Sequence, residues 1–287
     1  MTLLTMLMSA VLSTLPVQAG HRRPTQTAEA AFLAGNYQGA VKILTEAIAK
    51  TPQDASLYYW ALRSYYEMGD VDNAISYGEK AVDLDDKSAE YVRWLGRAYG
   101  AKAEKSHSFF LARKVKHSFE AAVDLDPSSI PARRDLMQYL TEAPWIVGGS
   151  KGKAVEQIEA IAKLDPIEGY LARGAFYAAQ KKWPEAEAAY AAAVDAPATR
   201  VDSLMEAAEF FMQRKNARYV ERAVEIAARL NAKDPRLDFY RAVSLVLRGA
   251  DFPVARKLLQ SYMDNTPQRS DYPSHSSARE WFSRANE

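Results

Sequence analysis

Cysteine is absent from the 287-residue chain. Its absence excludes disulfides, thiolate nucleophiles, iron–sulfur clusters, Cys-ligated zinc and an acylated lipoprotein Cys. Histidine is scarce, with four residues at His21, His107, His117 and His275. His107 and His117 are ten apart, whereas a helical metal pair needs an interval of three or four. No metal and no cofactor are expected. An excess of one charge is also lacking: 37 Lys+Arg against 36 Asp+Glu leave a net charge of +1. That balance excludes the global basic footprint of a nucleic-acid binder and the acidic composition of a disordered chain. Beyond the first twenty residues, no apolar run is long enough to span a bilayer. Sustained period-two alternation is missing, so no sheet is expected. No dinucleotide loop and no Ser/His/Asp arrangement can be argued. Asp83, Asp85, Asp86, Asp124 and Asp126 fall at helix ends beside Pro or polar residues. Nothing local there would shift a carboxyl pKa for acid–base work. An enzyme is not expected.

What is present begins with an uncharged segment, MTLLTMLMSAVLSTLPVQAG. Leu3 to Leu15 have the length of a signal-peptide core, Pro16 breaks the run, and Val17-Gln18-Ala19 supply small residues before Gly20. The positive residues usual ahead of such a core are missing; Arg22 and Arg23 follow it instead. The expectation is a signal peptide over 1–19 and a periplasmic or otherwise exported mature chain over 20–287.

A 34-residue period organises that mature part: Ala40 and Ala74, Ala47 and Ala81, Leu62 and Gly96, Tyr65 and Tyr99 all lie 34 apart. Leu-Asp-Pro closes units at Pro127 and Pro166, Lys-Asp-Pro at Pro235 and Asn-Thr-Pro at Pro267. Within a unit, apolar residues recur at helical spacing: Tyr58, Ala61, Leu62 and Tyr65, then Ala74, Tyr77 and Ala81. Gly35-Asn36, Gly69-Asp70 and Gly249-Ala250-Asp251 supply turns inside pairs. Ala or Gly stands where two helix axes come closest, and a larger side chain there costs roughly 1–3 kcal/mol.

Trp94-x-Gly96-x-x-Tyr99, Gly69-Asp70 with Ala74 and Ala81, Phe119 with Ala122 and Pro127, and Trp183 with Ala186, Tyr190 and Ala193 resemble the tetratricopeptide repeat. The resemblance covers nearly all of the mature chain. It implies an all-α fold, an α-α superhelix of about seven helix-turn-helix units. Their bounds are about 21–52, 55–86, 89–127, 130–166, 168–198, 201–235 and 238–267, with a polar capping helix over 274–286. First helices would line the inner groove. Isolated units cannot bury their apolar faces; stacking supplies the core.

Two units are too long for the frame. The third carries extra residues over Ala103–Leu111, with Phe109 and Phe110 side by side; the fourth carries Ala143–Gly152, with Trp145 and Ile146. Both are read as loops and as candidate partner contacts, the plain alternative for the Phe pair being that it tucks onto neighbouring helices. Gly148-Gly149-Ser150-Lys151-Gly152-Lys153 invites a phosphate-loop reading, which fails because the motif needs Gly at Val147 and a hydroxyl at Ala154. This loop and the repeat plan together resemble the periplasmic T component found with TRAP-type transporters.

In the repeat family the first helix of each unit meets ligands. The corresponding positions here are Tyr59, Arg63 and Tyr66, then Glu90, Arg93 and Arg97, then Arg134 and Gln138; the fifth unit presents Leu171, Ala175, Ala178 and Ala179. Arg grips carboxylates through paired planar hydrogen bonds. The implied role is a non-enzymatic scaffold holding a peptide or protein segment, acidic or carboxylate-ended. The ordinary alternative is Arg bridging to Glu and Asp on adjacent helices. Replacing Arg97 and Arg134 is on the first reading expected to spare thermal unfolding. Two other roles fit the same features: a small-ligand-binding accessory of a transport system, and an assembly scaffold using its outer face. An open groove would favour a peptide, a closed pore a small ligand.

Overall fold

The computed structural model describes residues 24–286, and among them every regular element is helical. The expected signal peptide over 1–19 lies outside the described residues. Seven antiparallel helix pairs follow one another: α1 (Pro24–Leu33) with α2 (Tyr37–Lys50), α3 (Ala55–Glu67) with α4 (Val71–Leu84), and α5 (Ala89–Ser106) with α6 (Phe109–Leu125). Next come α7 (Ile130–Glu142) with α8 (Lys151–Leu164), α9 (Pro166–Ala179) with α10 (Trp183–Asp195), and α11 (Val201–Gln213) with α12 (Ala217–Leu230). The last pair is α13 (Arg236–Leu247) with α14 (Phe252–Asn265), capped by α15 (His275–Arg284) through Ala278 and Trp281. The architecture is an α-α superhelix. Each helix packs on its sequence neighbours, and each first helix also touches the next first helix, which places the odd-numbered helices on the inner wall.

One position recurs in every second helix: Ala40, Ala74, Val115, Ala154, Ala186, Ala223 and Ala255 are all buried. These residues sit where a pair closes. Gly96 and Gly174 do the same work from the first helix. A Cβ on Gly96 would stand 2.7 Å from the Phe119 ring, and one on Gly174 would stand 2.6 Å from the Tyr190 ring.

The turn inside each pair is also stereotyped. Gly35, Gly69, His107, Gly148, Lys181, Lys215 and Gly249 all take positive φ. In most of them two backbone bonds close a Schellman-type C-cap, as with Lys215 N to Met212 O and Asn216 N to Phe211 O. Asp or Asn then caps the second helix where a side chain is free to do so; Asn216 accepts from Tyr219 N. The repeat dictates the backbone, and Lys181 and Lys215 adopt the left-handed conformation without being glycine.

The extra residues of the third unit do not form the expected loop. Ala101, Lys102, Ala103, Glu104 and Lys105 are good helix formers, and they lengthen α5 to 18 residues, while α6 runs for 17. The turn shrinks to His107-Ser108, with the Ser108 side chain capping Leu111 N. Lys102 pairs with Asp72, and Lys105 donates to the Gly69 carbonyl, fastening the extension to the preceding unit. Phe109 and Phe110 are exposed at the start of α6 rather than tucked in. In the fourth unit the extra residues do form a turn, with a 3-10 segment at Trp145–Val147. Val147 is buried, and the Tyr139 hydroxyl lies 2.8 Å from both the Val147 and Ala112 carbonyls.

The two ends of the superhelix meet. Arg269 Nη1 donates to the Leu33 carbonyl at 3.3 Å, and a Cβ on Gly35 would stand 2.6 Å from the Gln268 carbonyl oxygen. The turn inside the first pair thus touches the segment that follows the last pair, on the opposite edge of the stack.

Left-handed Lys costs roughly 1–2 kcal/mol relative to an unstrained residue. Lys215→Gly is therefore expected to raise stability by about 1 kcal/mol. Gly96→Val, which drives a side chain into Phe119, is expected to lower it by about 1–3 kcal/mol. Urea unfolding followed by circular dichroism reads both.

Candidate functional site

The inner wall is built from α3, α5, α7, α9 and α11, and the residues singled out by the sequence lie along it in different states. Tyr59 and Arg93 are buried between helices and do not face open groove. Tyr59 stacks on Tyr91 at 4.8 Å, and its hydroxyl donates to Glu90 at 3.0 Å. Burial, with Glu90 adding to it against the opposing Arg63 charge, pushes the Tyr59 hydroxyl well above the ordinary tyrosine range. Tyr66 meets Trp94 edge-on at 5.6 Å, and Gln138 is exposed.

Three of the four arginines are engaged with carboxylates of the chain itself. Arg93 bonds Glu90 at 2.9 Å and Asp135 at 3.1 Å. Arg97 grips the same Asp135 through two bonds of 2.7 Å. Arg134 bonds Glu168 at 2.9 Å and also pairs with Glu206 through both terminal nitrogens. Arg200 approaches Glu168 at 3.4 Å, and the Ser203 hydroxyl donates to it. Burial works against the charge of Arg97 and Arg134, but the facing carboxylates outweigh it, so both guanidinium pKa values lie above the ordinary one. The ordinary alternative, arginine bridging successive helices, describes these three.

Arg63 differs. Among the described residues it has no carboxylate partner: its one hydrogen bond goes from Nη1 to the Tyr59 hydroxyl at 3.3 Å, and its buried Nε has none. Its guanidinium is held among rings, 4.6 Å from Phe32, 4.9 Å from Trp60 and 4.6 Å from Trp94. Arg93 and Arg97 also face Trp94, at 5.3 and 4.9 Å, so three arginines converge on one indole.

Between α5, α7, α9 and α11 the wall encloses a cavity of about 460 Å³. Arg97, Arg134 and Arg200 line it against Asp135, Glu142, Glu168, Asp202 and Glu206, while Ala175, Phe176 and Ala179 give an apolar strip. Ala175 and Ala179 line this cavity, whereas Leu171 is fully buried in the core, and acids outnumber bases along the charged part. A second cavity of about 910 Å³ lies between α5, α6, α7 and the fourth unit's turn, sharing Arg97, Asp135, Gln138 and Glu142 with the first. The sequence singled out neither Asp135 nor Glu168 and Glu206. A charged residue beside Arg134 and a 34-residue interval from Arg134 to Glu168 were the available signals. Among the described residues, no three His, Asp or Glu are placed to hold a metal, and no helix is long and apolar enough to cross a membrane.

This pairing overturns the expectation that removing Arg97 and Arg134 spares stability. The double Ala variant strips partners from three carboxylates, and a loss of about 1–3 kcal/mol is expected. Asp135→Ala leaves Arg97 without its carboxylate and buried Arg93 with Glu90 alone, and is expected to cost about 3 kcal/mol in chemical denaturation. Glu90 supplies a pH test. Burial raises its pKa, but bonds from Arg93, Tyr59 and Trp94 prevail and hold it below the ordinary value. A depressed carboxyl pKa contributes stability above the unfolded value, lost as pH falls through the folded one. The melting temperature is expected to fall below about pH 4. Glu90→Gln should start lower at neutral pH and decline less steeply on acidification.

Comparison with known proteins agrees with this architecture. A sequence profile of the tetratricopeptide repeat matches residues 25–89. No curated protein matches the chain. A thermophilic tetratricopeptide-repeat protein of Thermus thermophilus is 20% identical, with a TM-score of 0.53 over 65% of this chain and 96% of that one. A tetratricopeptide-repeat protein of Parabacteroides merdae is 10% identical, with a TM-score of 0.52 over 92% of this chain and 98% of that one. Human IFIT1, solved as a dimer with PPP-AAAA, is 19% identical, with a TM-score of 0.53 over 85% of this chain; the match spans 54% of the human chain. The chain folds as a tetratricopeptide-repeat-type α-α superhelix, carrying the repeat's own sequence signature over residues 25–89.

Proposed function

We propose that the protein is a non-enzymatic interaction scaffold that holds a peptide or protein segment along its inner wall, with a carboxylate of that segment seated on Arg63. The repeat architecture supports the scaffold role. The observation that carries the finer reading is Arg63 itself, a half-buried guanidinium with no carboxylate partner, steadied by Phe32, Trp60 and Trp94. A planar cation held by rings loses little freedom on gripping a carboxylate. Arg97 and Arg134 do not share this task, because Asp135, Glu168 and Glu206 already occupy them. The acidic excess further along the wall suits a segment whose body carries amide or basic donors and whose end is acidic. With the signal segment expected over 1–19, we place this activity in the periplasm.

A second reading, a small-ligand accessory of a transport system, is favoured by one observation. The contact of Arg269 with Leu33 brings the two ends together, as a wall curving around a small ligand would require. Peptide and small ligand are separated by using the same carboxylate in both forms.

Labelled peptides ending in a free carboxylate are expected to bind the wild type, and their C-terminal amides about tenfold more weakly, as a charge-assisted bond contributes about 1.5–3 kcal/mol. Arg63→Gln should erase that difference. Equal binding of acid and amide, or an unchanged preference in Arg63→Gln, contradicts the assignment. Binding of short free carboxylates with no gain from peptide length favours the second reading.

A further inference from the structure

The four most exposed large apolar side chains among the described residues are Trp145 at 84%, Phe110 at 69%, Phe109 at 63% and Ile146 at 54%. They come from two consecutive turns, one inside the third pair and one inside the fourth. The turns belong to one edge of the superhelix and touch each other. Tyr139 bridges toward Ala112 and Val147, and the Lys116 side chain lies where a Cβ on Gly148 would stand, 2.6 Å from it. Because α5 and α6 are longer than the neighbouring helices, the Phe pair stands beyond the edge that other turns define.

Cations surround this tip. Lys105, Arg113, Lys151 and Lys153 are exposed and make no ion pair among the described residues. Lys114 lies 5.5 Å over the Phe110 ring. Glu104 and Glu142 are opposing charges with no cationic partner among the described residues, and both line the cavity on the inner side of the tip. Further along the same edge the turns carry Lys181, Lys182 and Lys215, with Trp183 beneath Arg214 at 4.7 Å. The second and last turns of the same edge carry Asp70 and Asp251, and the opposite edge, formed by turns between pairs, is mixed, with Asp85, Asp86 and Asp126 beside Lys87, Arg200 and Lys233.

We propose that this edge docks on an anionic lipid bilayer, with Phe109, Phe110, Trp145 and Ile146 entering the interfacial layer and the neighbouring Lys and Arg side chains meeting lipid phosphates. Three features select a bilayer over a protein partner. The apolar side chains protrude on a convex tip, whereas a protein interface pairs apolar anchors with pockets. Trp and Phe flanked by Lys and Arg are the side chains that settle at the headgroup level. The exposed cations beside these side chains supply the attraction, since an anionic surface draws Lys and Arg that lie close to it. Docking of this kind needs no spanning helix and leaves the Arg63 site untouched.

Sedimentation of the full chain with vesicles tests the proposal. Vesicles containing phosphatidylglycerol are expected to bind it at least about tenfold more than phosphatidylcholine alone, with binding weakened by salt. Two variants, Phe109→Ser/Phe110→Ser/Trp145→Ser/Ile146→Ser and Lys151→Glu/Lys153→Glu, are each expected to lose about tenfold. Their thermal melts should match the wild type, because the altered side chains are exposed. Arg63→Gln should bind vesicles normally, which separates this edge from the inner wall. Variants that sediment like the wild type overturn the proposal, because the apolar segment at 1–20 would then account for the binding. Wild-type protein that ignores anionic vesicles but binds polyglutamate also overturns it, in favour of an acidic protein partner.

Discussion

Close approach of paired helices is the constraint on which everything else rests. At the point of closest contact each second helix offers a methyl or a small branched side chain, from Ala40 through Val115 to Ala255, and all are buried. Short contacts leave little room for adjustment within a pair. Repeated steps bend the stack into a superhelix. The same rigidity sets the turn backbone. Once the two helices are clamped, the residue after the first must reverse the chain with positive φ, and Lys181 and Lys215 comply despite their Cβ.

Stacking then decides what happens to charge. First helices succeed one another along the inner wall, so a guanidinium on one helix faces the carboxylates of the next two. Arg97 reaches Asp135 across one unit, and Arg134 reaches Glu206 across two. Taking these groups partly out of water is tolerable only because each is paired. A wall that has neutralised its own charges in this way recognises ligands through whatever remains. Arg63 remains because its neighbours on α1 and α3 are Phe32 and Trp60, rings in place of acids.

Much of this was legible in the amino-acid sequence. The 34-residue period, the closing Pro residues and the Gly turns locate the helix pairs, and the family register placed Arg63, Arg97 and Arg134 on the inner wall. Their pairing states were not legible. Asp135 sits one residue from Arg134 yet serves Arg93 and Arg97, because adjacent residues on a helix point about 100° apart. The extra residues of the third unit misled in another way. Length beyond the repeat suggests a loop, but Ala, Lys and Glu continue a helix at little cost, and extension by a turn on both partners preserves their pairing.

The extension explains why the molecule has an edge unlike the rest. In a regular stack every turn ends at one level, and no side chain there can stand clear of its neighbours. Lengthening α5 and α6 together raises their shared turn, and the 3-10 segment beside it holds Trp145 and Ile146 outward while Val147 anchors the base. Such exposure is unfavourable in water, at roughly 25 cal/mol per Å² of apolar surface. Nothing in the repeat geometry requires it. The inner wall and the raised edge are therefore separable: one follows from how repeats stack, the other from a local departure that stacking merely tolerates.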